Sequence, residues 1–315
     1  MNIIFKSIRL GRKISNKIGM PQLNRGTSYE GAEYSGETAS DLIKNALLKE
    51  EPCMIARLGF AELHAALNYI DRNNYKKVSD ILKYVLGKKA FLYWSSQLGG
   101  YFPEDIRKVE NYIQLLIDDM QFVDILGSWM REELFFQKEL LRATKVRLPD
   151  LEPYYHKNPW SIVLKNKKVL IIHPFEESIK SQYAKRDFLF INKNILPNFE
   201  LLTINTNYTS WKNKSIHTDW FEVYEPIKEK INRIDFDIAI IGCGPYGFNL
   251  AAHIKRIGKK AVHLGGATQL LFGIKGRRWE THPVISKLFN EYWVYPQASE
   301  VPLNYKSMDN GCYWA

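Results

Sequence analysis

Apolar residues along the chain follow two spacings, helical stripes and short continuous runs closed by turn residues. Leu42, Ile43, Ala46 and Leu47 make a helical stripe, with Thr38 or Ser40 as its expected cap and Pro52 as its stop. The run 53–56 reads as a buried strand. Arg57-Leu-Gly-Phe-Ala-Glu62 then turns into a second helix through Leu63, Ala66, Leu67 and Ile70. The pattern predicts further helices over 75–87, 104–120 and 131–141, and strands over 90–94 and 122–126. The stretch 147–166 holds three prolines and reads as a connection, the best candidate for an internal boundary.

The second half alternates more regularly. Strands are predicted over 168–172, 201–204, 236–241 and 261–264. A polar helix is expected from about Ser178, and a helix running to Ile257 and stopped by Gly258 lies between the last two strands. Strand–helix alternation implies an α/β fold: a Rossmann-like, largely parallel sheet flanked by helices, with additional helices at the N-terminal side. We read 1–37 as a basic, irregular lead-in and 38–315 as a single α/β domain.

Composition narrows the function classes. With 45% hydrophobic and 25% charged residues in 315, the chain is globular rather than disordered. No apolar run approaches the ~18–20 residues of a membrane span. The start lacks an apolar core followed by a cleavage site, so no secretory signal is expected. Ile3, Ile4, Phe5 and Ile8 stand among Lys6, Arg9, Arg12, Lys13 and Lys17. That segment suits a docked helix or a peripheral contact with an anionic membrane. Cys53, Cys243 and Cys312 form no CxxC pair, so neither a zinc site nor a disulfide framework is indicated, and a cytoplasmic setting fits. The formal charge of +10 favours anionic partners such as sugar nucleotides or phospholipid surfaces. The basic residues are scattered without a nucleic-acid motif, so no nucleic acid is expected.

Ligands of open parallel sheets sit beyond the carboxyl ends of the strands. Here the predicted strand ends run into Arg57, Gly59 and Glu62, then Gly127-Ser-Trp129, then His173-Pro-Phe-Glu176, then Asn205-Thr206-Asn207, then the 242–247 turn, then Gly265, Gly266 and Thr268. Gly242-x-Gly244-x-x-Gly247 has the spacing and the strand–turn–helix setting of a dinucleotide fingerprint. Such a turn lets the backbone approach a pyrophosphate at a helix N-terminus. It also suits a tight turn with close helix packing and no ligand. A nicotinamide enzyme wants an acidic residue at the end of the next strand, where this chain has His263-Leu-Gly-Gly266. That argues against an NAD(P)-dependent oxidoreductase. No GxxxxGK[ST] occurs, so a nucleotide loop of that type is absent.

Arg57 and Gly59 are candidates for phosphate contact, and Glu62 for a base, a metal ligand or a helix-start acid. His173 and Glu176 are candidate acid–base groups, although a loop histidine and helix-start acids have structural uses as well. Arg277 and Arg278 beside Trp279 suit a diphosphate and a stacked base or sugar, or a solvated basic patch. The aromatic ending Gly311-Cys-Tyr-Trp314 reads as a structural plug or as a border of an acceptor groove.

Three blocks together resemble the GT-D-fold glycosyltransferases of bacterial glycan assembly. They are Ile55-Ala-Arg-Leu-Gly-Phe-Ala-Glu62, Gly242-Cys-Gly-Pro-Tyr-Gly-Phe-Asn-Leu-Ala-Ala-His253 and Gly258-Lys-Lys-Ala-Val-His-Leu-Gly-Gly266. The ending from Trp293 to Trp314 is similar to tails of proteins from polysaccharide gene clusters. The resemblance implies a GT-D-like fold, a nucleotide-sugar donor that is UDP-linked, and a glycan or lipid-linked glycan acceptor. With the basic and apolar segment 3–17, a place at the inner face of the membrane is expected. In that family the first block reads Arg-x-Gly-Asp-Gly-Glu, with an acidic pair tied to a divalent metal, Mn2+ or Mg2+. Phe60 stands where the family has aspartate, so Glu62 alone of the pair carries over. The change leaves room for a non-catalytic nucleotide-sugar or glycan-binding module.

Overall fold

The computed structural model describes residues 31–72, 100–103, 105–206, 217–307 and 309–315. The helices expected over 75–87, the strand over 90–94, the basic segment 1–17 and Asn207 lie outside the described residues.

Seven short strands form one sheet: β1 Met54–Ala56, β2 Ile125–Ser128, β3 Thr144–Arg147, β4 Lys168–Ile172, β5 Glu200–Ile204, β6 Ile238–Ile241 and β7 Lys260–His263. Their order is β3-β2-β1-β7-β6-β4-β5 and every pairing is parallel. The protein therefore has an α/β, Rossmann-like architecture, with strands from both sides of the 147–166 segment in one sheet. β1, β2 and β6 are buried along their whole length, as strands covered on both faces must be.

The main helices are α1 Glu37–Leu48, α2 Phe60–Arg72, α3 Ile106–Met120, α4 Glu176–Tyr183, α5 Arg186–Leu189, α6 Trp220–Arg233, α7 Gly247–Arg256 and α8 Thr268–Leu271. Apolar side chains of α2, α3, α6 and α7 share one core layer. Those of α1, α4, α5, α8 and the C-terminal tail share the other. The chain steps from β5 to β6, β6 to β7 and β1 to β2 in one direction across the sheet, always through helices of the first layer. It steps the opposite way from β4 to β5, through the second layer. One hand of crossover requires this coupling of direction and face. The direction of connection consequently reverses between β4 and β6, while the neighbours β7 and β1 leave the sheet into opposite layers, β7 through α8 and β1 through α2.

Several elements depart from the sequence pattern. Neither Thr38 nor Ser40 caps α1: Gly36 holds the cap position, and the Ser40 hydroxyl donates to the Asn158 carbonyl at 2.8 Å. The helix expected over 131–141 is a 3-10 helix, Arg131–Phe136, and Leu141 is 82% exposed. Its tightness follows from Glu133, whose buried carboxylate accepts the backbone N–H groups of Trp129 at 3.0 Å and Met130 at 3.1 Å. The strand expected over 122–126 begins at Ile125, because Phe122 still closes the turn after α3 by donating to the Asp119 carbonyl. β3 and α6 have no counterpart in the predicted pattern. β3 is an edge strand with only Val146 buried, and α6 carries Pro226 inside it. The α6 helix persists because Trp220, Val223, Tyr224, Ile227 and Ile231 bury one stripe, and the Asp219 carboxylate caps its first turn through Phe221 N–H at 2.9 Å.

Trp220 is the centre of an aromatic column beneath the carboxyl edge. Its ring stacks on Tyr224 at 4.5 Å and on Tyr246 at 5.2 Å, and Tyr112 lies 4.9 Å away. Tyr246 belongs to the turn after β6, so the column fixes that turn from below. Trp220→Ala is expected to lower unfolding free energy by about 3–5 kcal/mol in urea titration, through lost burial and an unfilled cavity. A loss under about 1 kcal/mol would mean that the column is not a keystone of the fold.

Candidate functional site

The turns leaving β6 and β7 are packed together so closely that side chains are excluded. A Cβ on Gly242 would lie 2.6 Å from the Gly265 carbonyl oxygen and 2.5 Å from Thr268 Oγ1. A Cβ on Gly247 would lie 2.5 Å from His263 Nε2. Both glycines are there for packing. Gly244 differs: it is exposed, has φ of 58°, and a Cβ there would meet nothing within 4 Å. It is the position of the three at which a ligand can approach the backbone. This division of labour matches the glycine fingerprint, in which the middle residue admits the phosphates. Thr268 is fully buried and its hydroxyl donates to the Ile241 carbonyl at 3.1 Å, so it ties the β7 exit to the end of β6.

Arg57 enters this arrangement from the end of β1. Its Nη1 lies 3.1 Å from where a Cβ on Gly265 would sit, and Gly265 has φ of 63°. Its guanidinium lies 5.3 Å from the ring centre of Trp129, the residue following β2. Trp129 is held in turn by its indole N–H donating to the Leu58 carbonyl at 3.0 Å and by Glu133. The Arg57 Nε is buried and has no hydrogen-bond partner. A buried guanidinium donor left open asks for an acceptor. His263, the last residue of β7, donates from Nδ1 to the Arg57 carbonyl at 3.1 Å. Burial holds the His263 imidazole down to about 3, with the neighbouring Arg57 charge acting the same way, so it is neutral.

Glu152 was not singled out by the sequence pattern. It stands just beyond β3, after a 3-10 turn, Leu148–Leu151. One carboxylate oxygen, Oε2, accepts the Tyr154 hydroxyl. Burial pushes the carboxyl up to about 7, against the lowering effects of that hydrogen bond and of Arg57. Tyr155 is pushed up to about 12 by burial and by Glu152. An acid poised near neutrality beside an arginine at a strand exit is the kind of group that serves in proton transfer.

The other predicted residues fall around this centre. The Glu62 carboxylate folds back over Gly59, where a Cβ would lie 1.9 Å from Glu62 Oε2. His173 is buried, its Nδ1 accepts the Phe175 N–H at 2.9 Å, and burial lowers it to about 3. It is a neutral turn residue with its remaining proton on Nε2. Glu176 turns away toward β5. Burial raises its pKa, but hydrogen bonds from Thr203 at 2.5 Å and Lys180 outweigh this and hold it below the usual carboxylate range. The N-terminus of α4 is already filled by the chain's own Glu300, whose carboxylate accepts Glu177 N–H at 2.8 Å and Ser178 N–H at 3.2 Å. Arg277 donates from its backbone N–H to the Trp314 carbonyl at 2.8 Å and from its side chain to the Asn310 carbonyl, so it pins the tail. Arg278 reaches the Tyr313 hydroxyl at 3.1 Å. The Tyr313 ring covers Gly266, where a Cβ would lie 2.4 Å from Tyr313 Cε1. The structure thus brings Arg57, Gly242, Gly265 and Thr268 together, with Gly266 and Arg278 linked through Tyr313. It leaves Glu176 and Arg277 committed elsewhere.

No group of three His, Cys, Asp or Glu side chains placed to hold a metal ion occurs among the described residues. Two surface grooves lie outside the strand exits. One of about 570 Å³ includes Phe221, Tyr224, Lys228, His253 and Arg256 on α6 and α7. The other, about 230 Å³, lies at the amino edge near Lys167, Ile238 and Lys260. No helix among the described residues is long and apolar enough to cross a membrane. No protein-family model, curated protein or solved structure matches the chain. The fold class and the chemistry of these residues are what define the protein.

The two kinds of glycine separate under substitution. Gly242→Ala forces its Cβ against a backbone oxygen and is expected to cost roughly 3 kcal/mol of stability. Gly244→Ala meets open space and carries only the backbone cost of its positive φ, roughly 1–2 kcal/mol. Thermal unfolding of both variants checks the order, and equal losses would deny Gly244 its special position.

Proposed function

We propose that the protein is a glycosyltransferase that binds a nucleotide-sugar donor, UDP-linked, at the crevice between the exits of β1, β6 and β7. The observation that carries this reading is Arg57, a half-buried side chain whose buried Nε has no hydrogen-bond partner among the described residues, set against the positive-φ turn at Gly265. A diphosphate supplies the missing acceptor. Gly244 offers open backbone beside it, where α7 begins after a 3-10 turn, Gly244–Tyr246. The positive end of a helix favours phosphate there. The comparable helix end after β4 is occupied by Glu300, which supports the β6 turn over the β4 turn as the phosphate position.

The adjoining strand supports a nucleotide-sugar over a nicotinamide cofactor. β7 ends in His263, neutral and bonded to the Arg57 carbonyl, where a dinucleotide enzyme presents a carboxylate to the ribose. In sugar transfer the bond from the anomeric carbon to the diphosphate breaks and its electron pair leaves on the diphosphate oxygen. Arg57 is the fixed positive group that offsets this developing charge, and preorganised charge of this kind is commonly the largest catalytic contribution. Glu62, over Gly59, is the family's remaining acid, and in this reading it contacts the donor sugar or its metal. A glycan or lipid-linked glycan is the acceptor, and an inner-face membrane setting accompanies it.

UDP and UDP-sugars are expected to raise the melting temperature of the whole chain, because ligand bound only by the native state stabilises by mass action. Arg57→Ala is expected to weaken UDP binding roughly 10- to 100-fold, the worth of a charge-assisted hydrogen bond. Arg57→Lys keeps the charge but not the planar fork, and should recover only part of it. Calorimetric titration checks this, and unchanged affinity in Arg57→Ala would move the diphosphate elsewhere.

A further inference from the structure

Among the strand exits, one acidic group has no part yet in the donor site. Glu152 has two distinct oxygens. Oε2 accepts the Tyr154 hydroxyl, and Oε1 makes no hydrogen bond among the described residues. The half-buried side chain is anchored at one oxygen. Its position is set by rigid neighbours. The Trp160 indole N–H donates to the Leu151 carbonyl at 2.9 Å, and the Glu152 N–H donates to the Pro149 carbonyl at 3.0 Å. Leu151 packs under Gly127 at the end of β2, where a Cβ would lie 2.4 Å from Leu151 Cδ1. The sheet order β3-β2-β1-β7-β6 then arrays Glu152, Trp129, Arg57, Gly265 and Gly244 along one edge. Arg57 lies within electrostatic reach of Glu152.

We infer that Glu152 is the proton acceptor for the attacking hydroxyl, with Oε1 as the accepting atom and Tyr154 as the residue that positions it. This rests on the nucleotide-sugar reading of the crevice. The step balances without any further reactant. The acceptor oxygen forms its bond to the anomeric carbon and passes its proton to Oε1. The bond from that carbon to the diphosphate breaks, and its electron pair leaves on the diphosphate beside Arg57.

The charged and titratable groups facing Glu152 are Tyr154, Tyr155 and Arg57. Burial raises its carboxyl to about 7, so the carboxylate that accepts the proton forms as pH rises through neutrality. Turnover is therefore expected to climb along an acidic limb near pH 7. Tyr154 lowers the carboxyl by donating to it, so its removal moves the limb to higher pH.

The test uses the full chain, UDP for binding, and release of UDP from UDP-glucose, UDP-galactose and UDP-N-acetylglucosamine with water as acceptor. Glu152→Gln is expected to bind UDP within about threefold of the parent, and to lose roughly 100-fold or more of the release rate together with the acidic limb. Tyr154→Phe is expected to keep UDP affinity and shift the limb upward, a readout that a purely structural residue would leave in place. A Glu152→Gln protein with the parental rate and limb overturns the inference, as does an unshifted limb in Tyr154→Phe should Glu152→Gln fail to fold. A parent that binds UDP and releases none from the three sugars overturns the proton-acceptor role and leaves the binding reading intact. A parent that fails to bind UDP overturns the donor reading itself.

Discussion

The contact between the turns after β6 and β7 is the constraint on which the carboxyl edge depends. Gly242 lies against the Gly265 carbonyl and Thr268 without room for a methyl group, and the Thr268 hydroxyl closes the contact on the Ile241 carbonyl. Gly247 makes the same kind of contact with His263, whose other ring nitrogen fixes the Arg57 backbone. A displacement at Gly247 is transmitted to the β1 exit through a single imidazole. Interiors packed at this density have discrete arrangements rather than soft ones. The arginine is consequently held by the same packing that shapes the glycine turn.

The electrostatics of the edge follow from burial. His173 and His263 are both held neutral far below physiological pH, so neither changes charge between about pH 5 and 8, the range in which an unperturbed histidine switches. Glu152 moves the opposite way and titrates within that range. Because its folded pKa lies above the ordinary carboxylate value, it opposes folding increasingly as pH rises from about 4.5 to 7. Elsewhere Lys168 and Asp235 pair at 2.7 Å on the surface, and an exposed pair of this kind contributes little.

The C-terminal tail packs against the strand exits. Trp314 is buried in the second core layer and its indole N–H donates to the Glu300 carbonyl at 3.1 Å. Glu300 caps α4, and Tyr313 lies over Gly266 within reach of Arg278. One short segment therefore joins the exits of β4 and β7. The tail is a plug at Trp314, which packs inward, and its Tyr313 lies over Gly266 of the β7 exit.

The sequence by itself determined the parallel α/β class, the four strands of the second half to within two residues at either end, and the glycine turn between β6 and α7. Those features are local: continuous apolar runs, a positive-φ glycine and a helix stop report themselves in order along the chain. The partners of Arg57 were decided by the tertiary structure alone, since Trp129, Gly265 and Glu152 reach it from three other strand exits. β3 escaped the pattern because an edge strand buries one residue in four, and α6 because Pro226 argues against a helix that its aromatic stripe sustains. His173 and Glu176 looked available in sequence, and only the fold assigned one to a backbone turn and the other to Thr203 and Lys180. Hydropathy spacing records which face a residue prefers. It carries no record of which distant strand ends beside it, and a candidate site at a sheet edge is built from that second kind of information.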